Sequence, residues 1–175
     1  MIEWMMRDLA KISGFSYIAL RYFNAAGAHS SGLTGEAHEP EAHLIPNILK
    51  AALDKKKKLV IFGGDFDTPD GTCVRDYLHI EDITYAHSLA LRALGRGIKN
   101  EAFNLGSGRG HSNLEILRTA ERVVGRKIPY TIGPRRPGDP SRLVANISKA
   151  KKVLGWVPQR GLKEIIRSAW EWEQR

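Results

Sequence analysis

Two spacings of apolar residues run through this chain, one helical and one extended. Ile2, Met5, Met6, Leu9 and Ile12 recur at the spacing of an amphipathic helix, and Gly14 stands where a left-handed cap would end it. No capping residue precedes this pattern, so the sequence reads as if entered part-way through an element. Tyr17 to Phe23 is a nearly continuous apolar run, which predicts a strand covered on both faces in a parallel sheet. Asn24-Ala-Ala-Gly27 reads as the loop at its carboxyl end, where open α/β sheets bind ligands. Helical spacing returns over 41–54 through Leu44, Ile45, Ile48, Leu49 and Ala52, with Pro46 tolerated only in the first turn. Leu59 to Phe62 is a strand, and Ile83 to Leu94 a helix whose start is favoured by the negative charges of Glu81 and Asp82.

Ala102 to Leu105 predicts a short strand. Ser112 with Glu115 forms a capping box for a helix reaching Val124, ended by Gly125. The turn between them, Gly106-Ser-Gly-Arg-Gly110, looks like a dinucleotide fingerprint but fails its rules. Its spacing is G-x-G-x-G rather than G-x-G-x-x-G, and no acidic residue closes a second strand about 20 residues on. Ile128 to Ile132 is a strand, 133–140 a turn-rich loop, and Ile147 to Leu154 a short helix behind Asn146 and before Gly155. Leu162, Ile165, Ile166, Ala169 and Trp170 make a final amphipathic helix. Strands alternating with helices place the chain in the α/β class. There is no internal repeat and no low-complexity linker.

The densest chemistry lies in Gly71-Thr-Cys-Val-Arg-Asp-Tyr-Leu-His-Ile-Glu-Asp82, behind the turn Asp67-Thr-Pro-Asp70. Arg75 stands at the mouth of a short apolar strand and offers a planar fork of donors to a phosphate or carboxylate. Read alone, Arg75 and Asp76 equally suit a surface pair that holds a loop. Arg135-Arg136-Pro-Gly-Asp139 is either a basic turn pinned by Asp139 or a second cationic loop. If both arginine-bearing loops follow strands and face one cleft, two guanidiniums converge, as a diphosphate requires.

Composition narrows the classes. The 175 residues make one domain with room for a core. The net charge of +8 admits nucleic acid or an anionic small molecule as partner. The run Lys55-Lys-Lys-Lys58 has no interleaved aromatics and reads as a solvated turn, and no zinc-finger or RNA-recognition signature is present, so no nucleic acid is expected. No apolar run approaches the roughly 18 residues of a membrane span. Met1 to Asp8 lacks the features of a signal peptide. A single cysteine, Cys73, excludes an internal disulfide and fits the cytoplasm, where it serves as a half-buried filler. The six histidines show no metal-ligand spacing, so no metal is expected.

With Arg21-Tyr-Phe-Asn24 before it and Arg135 to Asp139 after it, the central stretch resembles the carboxyl-terminal half of the UDP-glucose 4-epimerases, in the extended short-chain dehydrogenase/reductase family. The likeness runs from the first residues to about Trp172. It implies the last one or two strands of a parallel Rossmann-like sheet, followed by a small mixed α/β substrate-binding subdomain. It further implies a UDP-sugar as ligand and NAD as the parent enzyme's cofactor. Arg75 and Arg136 would hold the diphosphate, Asp139 the ribose hydroxyls, and Asn24 the sugar-nucleotide phosphates, unless Asn24 only forms a turn. Phe23 would lie near the nicotinamide. Val60, Ile61 and Phe62 would flank the uracil, with Phe62 as the ring contact. His43 and Leu44 fall where the family has an Asn-Leu pair, and His43 departs from it. Leu143 falls at a gate beside the sugar.

The resemblance also marks what the sequence lacks. The family's Tyr-x-x-x-Lys pair abstracts a proton while NAD takes the hydride. Here Tyr17, Tyr22, Tyr77, Tyr85 and Tyr130 are followed four residues later by Arg21, Ala26, Glu81, Leu89 and Pro134. The G-x-x-G-x-x-G cofactor loop is absent too. The expectation is therefore the UDP-sugar-binding half of an epimerase, severed within its active-site helix, without catalytic residues and inactive alone. Its first helix or an exposed strand edge would drive self-association. A sister nucleotide-sugar epimerase or dehydratase, or a non-catalytic nucleotide-sugar-binding fragment, stays open.

Overall fold

The two apolar spacings resolve into two packing units that interleave along the chain. In order, the elements of a computed structural model are α1 (Ile2–Ser13), β1 (Ile18–Tyr22), β2 (Asn24–Ala26), α2 (Leu44–Leu53), β3 (Leu59–Phe62), β4 (Val74–His79) and α3 (Ile80–Gly95). They continue with β5 (Glu101–Leu105), β6 (Gly110–Ser112), α4 (Asn113–Val124), β7 (Tyr130–Gly133), β8 (Arg142–Leu143), α5 (Ser148–Leu154) and α6 (Leu162–Glu173). The structure describes residues 1–54 and 56–175, so Lys55 of the lysine run lies outside the described residues.

One unit is built on β1 and β5, paired in parallel from Ile18 opposite Glu101 to Tyr22 opposite Leu105. Phe103, Leu105, Ala86, Ala93, Ala150 and Trp156 bury the face between this pair, α3 and α5. Trp156 is fully buried, and its indole N–H donates to Asp82 O at 3.0 Å, which satisfies the ring's polar atom. The second unit packs α2, α4 and α6 around Ile48, Leu49, Ile116, Leu117, Ile165 and Ile166, with Ile61 of β3 beneath them. Here β3 pairs in parallel with β7, and β4 lies between β2 and β6 with β8 beside its start. Truncating Leu49 to alanine in this unit costs about 2–5 kcal/mol.

The α/β class with parallel strand pairs is thus present, but its order differs from the sequence expectation. The sheet part does not precede the second unit in sequence, because β5, α3 and α5 return to complete it. Asn24 to Gly27 is not a loop: Asn24–Ala26 is β2, parallel to β4, so the chain leaves one pairing partner at Phe23 and takes another. Strand β1 is not covered on both faces: Ile18 and Leu20 pack against the core of this unit, while Arg21 and Tyr22 are exposed. Helix α2 begins at Leu44 rather than residue 41, which keeps Pro46 in the first turn, where its missing N–H has no partner to lose. The caps at Gly14, Gly125 and Gly155 are left-handed as expected. Only half of the Ser112 capping box forms: Ser112 Oγ accepts from Glu115 N, while the Glu115 carboxylate takes His111 instead.

Candidate functional site

A cleft of about 1070 Å3 opens where β1 passes into β2, against the 35–44 segment, β3, the start of β4 and the 136–139 loop. Phe23, Asn24, His43, Leu44, Val60, Ile61, Phe62, Arg75, Arg136 and Asp139 all line it. Leu143 is not among its lining residues; it is exposed on β8, in register with Arg75. Strand β3 alternates, so Leu59 and Ile61 enter the core while Val60 and Phe62 point outward. The side chain of Ile61 therefore belongs chiefly to packing, being 1% exposed.

The arginines are held differently from one another. Arg75 is inside β4 rather than on a loop, and it does not pair with Asp76. Its Nη2 donates to Asp139 Oδ1 at 2.6 Å and its Nη1 to Val74 O at 2.8 Å. The Arg136 guanidinium carbon lies over the Phe62 ring at 4.3 Å from the centroid, and among the described residues no carboxylate pairs with it. Arg135 stacks in the same way on Phe66 and donates to Asp65 Oδ1 at 2.7 Å. Of the two loop arginines, Arg135 is thus tied to protein groups, whereas Arg136 is oriented by an aromatic face with its fork uncommitted. Lys57 and Lys58 add positive charge at the rim; both are exposed, as a solvated turn requires. Asn24 Nδ2 donates to Asp76 O at 2.7 Å, so this side chain ties β2 to β4 and forms no turn.

Asp76 explains the glycine-rich turn after β5. Its carboxylate is fully buried. It accepts from Ser107 N at 2.7 Å, Ser107 Oγ at 2.6 Å, Gly108 N at 3.1 Å and Ala145 N at 3.1 Å. A Cβ at Gly106 would fall 2.5 Å from Asp76 Oδ2, so only glycine admits the carboxylate there. The turn is an anion cradle, and its anion is a side chain of the same chain. Its amides are not free for a cofactor's pyrophosphate.

Three other groups look chemical and are structural. His79 Nδ1 accepts from Glu81 N at 3.1 Å, so the proton sits on Nε2, which meets Ser168 Oγ at 3.0 Å. Ser168 Oγ in turn donates to Ile165 O, which leaves no base for a serine nucleophile. Burial, reinforced by the Arg160 guanidinium, lowers the proton affinity of His79 below its ordinary value. Cys73 is buried rather than half-buried, and burial pushes its thiol up while Asn113 Nδ2 lies 3.3 Å from Sγ. Tyr77 borders the cleft, and burial pushes its phenol well above the ordinary value, so it stays protonated.

One cluster on the cleft wall escaped the sequence reading. Glu36, His38, Glu41 and His43 bring four ligand-type atoms within 4.8 Å of one another. His43 Nδ1 lies 2.6 Å from Glu36 Oε1 and 3.3 Å from Glu41 Oε1. Desolvation, aided by the Glu41 charge, raises the Glu36 carboxyl above its ordinary range. The histidines show no metal-ligand spacing along the sequence, yet the fold brings two of them beside two glutamates. The four lie in an irregular segment where neither helical nor strand periodicity announces a shared face.

The fold and cleft define an α/β protein with an arginine-bearing, aromatic-floored cleft. The sequence model of the NAD dependent epimerase/dehydratase family matches residues 1–106, and the chain belongs to that family. It is 53% identical over 175 residues to the UDP-glucose 4-epimerase of Lactobacillus helveticus, covering 99% of this chain and 53% of the relative. A crystal structure of a UDP-glucose 4-epimerase superposes with a TM-score of 0.94 at 47% identity, over 99% of this chain and 53% of the other. The Stenotrophomonas maltophila UDP-glucose 4-epimerase, solved with NAD and formylated UDP-arabinopyranose, gives 0.92 at 39% identity, over 99% and 52%. The chain spans about half the length of the curated relatives it matches.

Proposed function

We propose that this chain is the UDP-sugar-binding part of a UDP-glucose 4-epimerase, which interconverts UDP-glucose and UDP-galactose through a 4-keto intermediate. The observation that carries the reading is the Arg136 guanidinium, stacked on Phe62 at 4.3 Å beside the Arg75–Asp139 pair in one cleft. In this reading Arg136 and Arg75 take the diphosphate, and Asp139, while held by Arg75, turns its remaining acceptor capacity to the ribose. Phe62 and Val60 offer the flat apolar wall that a pyrimidine needs. Leu44, His43 and Asn24 line the same cleft, and Leu143, the proposed gate beside the sugar, stands outside that lining in register with Arg75.

A similar protein is solved with NAD, and Phe23 lies at the end of the cleft where β1 and β2 meet. The residues present do not make a whole cofactor site. The turn at 106–110 is filled by Asp76, and the sequence has neither a G-x-x-G-x-x-G loop nor a Tyr-x-x-x-Lys pair. We therefore assign this chain binding and orientation of the UDP-sugar, and no proton or hydride transfer. A related nucleotide-sugar epimerase or dehydratase would use the same diphosphate clamp, so the sugar is the less constrained part of the proposal. The single buried cysteine suits a cytoplasmic setting. No helix among the described residues is long and apolar enough to cross a membrane. The exposed apolar side chains of α1 support self-association through that helix.

Titrating the chain with UDP and, separately, with single-stranded DNA at two salt concentrations tests the reading. Saturable UDP binding with little binding of DNA supports it. DNA binding that falls steeply with salt, without UDP binding, replaces it by nucleic-acid recognition.

A further inference from the structure

The geometry points to a second site on this chain: Glu36, His38, Glu41 and His43 bind one divalent ion of the zinc class on the cleft wall. Two imidazoles and two carboxylates are the donor set that a borderline-soft ion takes in four-coordinate sites, whereas magnesium and calcium prefer six or more oxygens. The pairs already lie near bonding geometry. Zinc bonds of about 2.0–2.1 Å in a tetrahedron place ligand atoms roughly 3.3 Å apart. Here His43 Nδ1 is 3.3 Å from Glu41 Oε1, and His38 Nδ1 is 3.3 Å from Glu36 Oε1. The remaining imidazole–carboxylate pairs are 2.6 Å and 4.0 Å. Sub-ångström side-chain adjustments bring all four onto one ion.

The supporting shell is built as well. Trp172 Nε1 donates to Glu36 O at 2.9 Å. Asn47 Nδ2 donates to His43 O at 2.8 Å and to Glu41 O at 3.3 Å. Glu41 Oε1 accepts from His43 N at 2.9 Å and keeps a second lone pair, while Lys50 engages the other oxygen at 3.4 Å. Three of the four ligand residues are thus anchored through their backbone carbonyls by α2 and α6. The two glutamates are the sheltered members and the two histidines the exposed ones, so an ion enters from the solvent side. Bound there, it ties Glu36 and His38 to Glu41 and to His43, the residue that precedes α2, on the wall of the cleft. The inference does not depend on the identity of the nucleotide ligand.

The test uses the untagged chain, equilibrium dialysis against Zn2+ with elemental analysis, and Co2+ as a spectroscopic substitute. One equivalent of Zn2+, intense visible Co2+ bands of a tetrahedral site, and a higher unfolding temperature with Zn2+ are expected. Glu36→Gln and His38→Asn should each weaken Zn2+ by about tenfold or more, whereas His29→Asn, outside the cluster, should not. Circular dichroism of each variant without metal checks that it folds. Retention of Zn2+ unchanged in both cluster variants overturns the site, as does failure of the wild-type chain to retain any.

Discussion

Arg75 Nη2 and Asp139 Oδ1 lie 2.6 Å apart although 64 residues separate them. The pair joins β4 to the 136–139 loop at the cleft, and neither side chain is more than a third exposed. A part-buried, charge-assisted contact of this kind is worth about 1.5–3 kcal/mol. A double-mutant cycle with Arg75→Met and Asp139→Asn should therefore give a coupling of that order in denaturant unfolding. Additive losses would mean that the two residues act independently.

Asp76 should be the least replaceable polar residue of the chain. In Asp76→Asn, one carboxylate oxygen becomes an NH2 that faces the amides now donating to it from Ser107 or from Gly108 and Ala145. Donors then meet donors in a buried site, and a loss of about 3 kcal/mol or more is expected. Urea unfolding should show a lower midpoint with an unchanged slope. A loss below about 1 kcal/mol would show that the turn at 106–110 holds its shape without the anion.

Acid should destabilise the chain partly through His79. Its folded proton affinity is below the ordinary value of 6.5, because burial and Arg160 disfavour the cation. In the window below 6.5 the unfolded chain binds more protons, so stability rises with pH there. The His79 contribution is complete above that value and is lost as pH falls through the lower, folded one. His79→Gln keeps a donor and an acceptor but does not titrate. Its unfolding midpoint should fall less than that of the wild type between about pH 7 and about pH 5. Parallel curves would remove His79 from the account.

Ile2, Trp4, Met5, Leu9 and Ile12 of α1 are exposed, and none of the residues of this helix is buried. A stripe of this kind finds a partner in water. Sedimentation should show concentration-dependent association, reduced by Met5→Glu with Ile12→Lys. A monodisperse monomer in the wild type would contradict this.

What the sequence made legible follows from which signals are local. Helices α1, α4, α5 and α6 carry their own apolar stripes, and the first three end on a glycine, so their positions follow from neighbours a few residues away. Strands β2, β6 and β8 are three, three and two residues long, too short for alternation, and exist because β4 offers them its edges. The membership of Arg75 and Asp76 in β4 was hidden because polar residues occupy positions that a buried strand usually gives to apolar ones. Their partners at 107, 108, 139 and 145 lie far along the chain. Arg75, Arg136 and Asp139, singled out by their motifs, line one cleft. The cluster of Glu36, His38, Glu41 and His43 was not announced by any local pattern: its segment is irregular and is anchored by Trp172 from far along the chain.

The most direct test of the UDP-sugar-binding reading is calorimetric titration of UDP into the wild-type chain, Arg136→Ala and Lys56→Ala. Arg136 is stacked and uncommitted in the cleft, whereas Lys56 is an exposed residue of the lysine turn. The account predicts saturable binding to the wild type, a loss of about 1.5–3 kcal/mol in Arg136→Ala and little change in Lys56→Ala. Equal losses in the two variants, or no UDP binding by the wild-type chain, would contradict it.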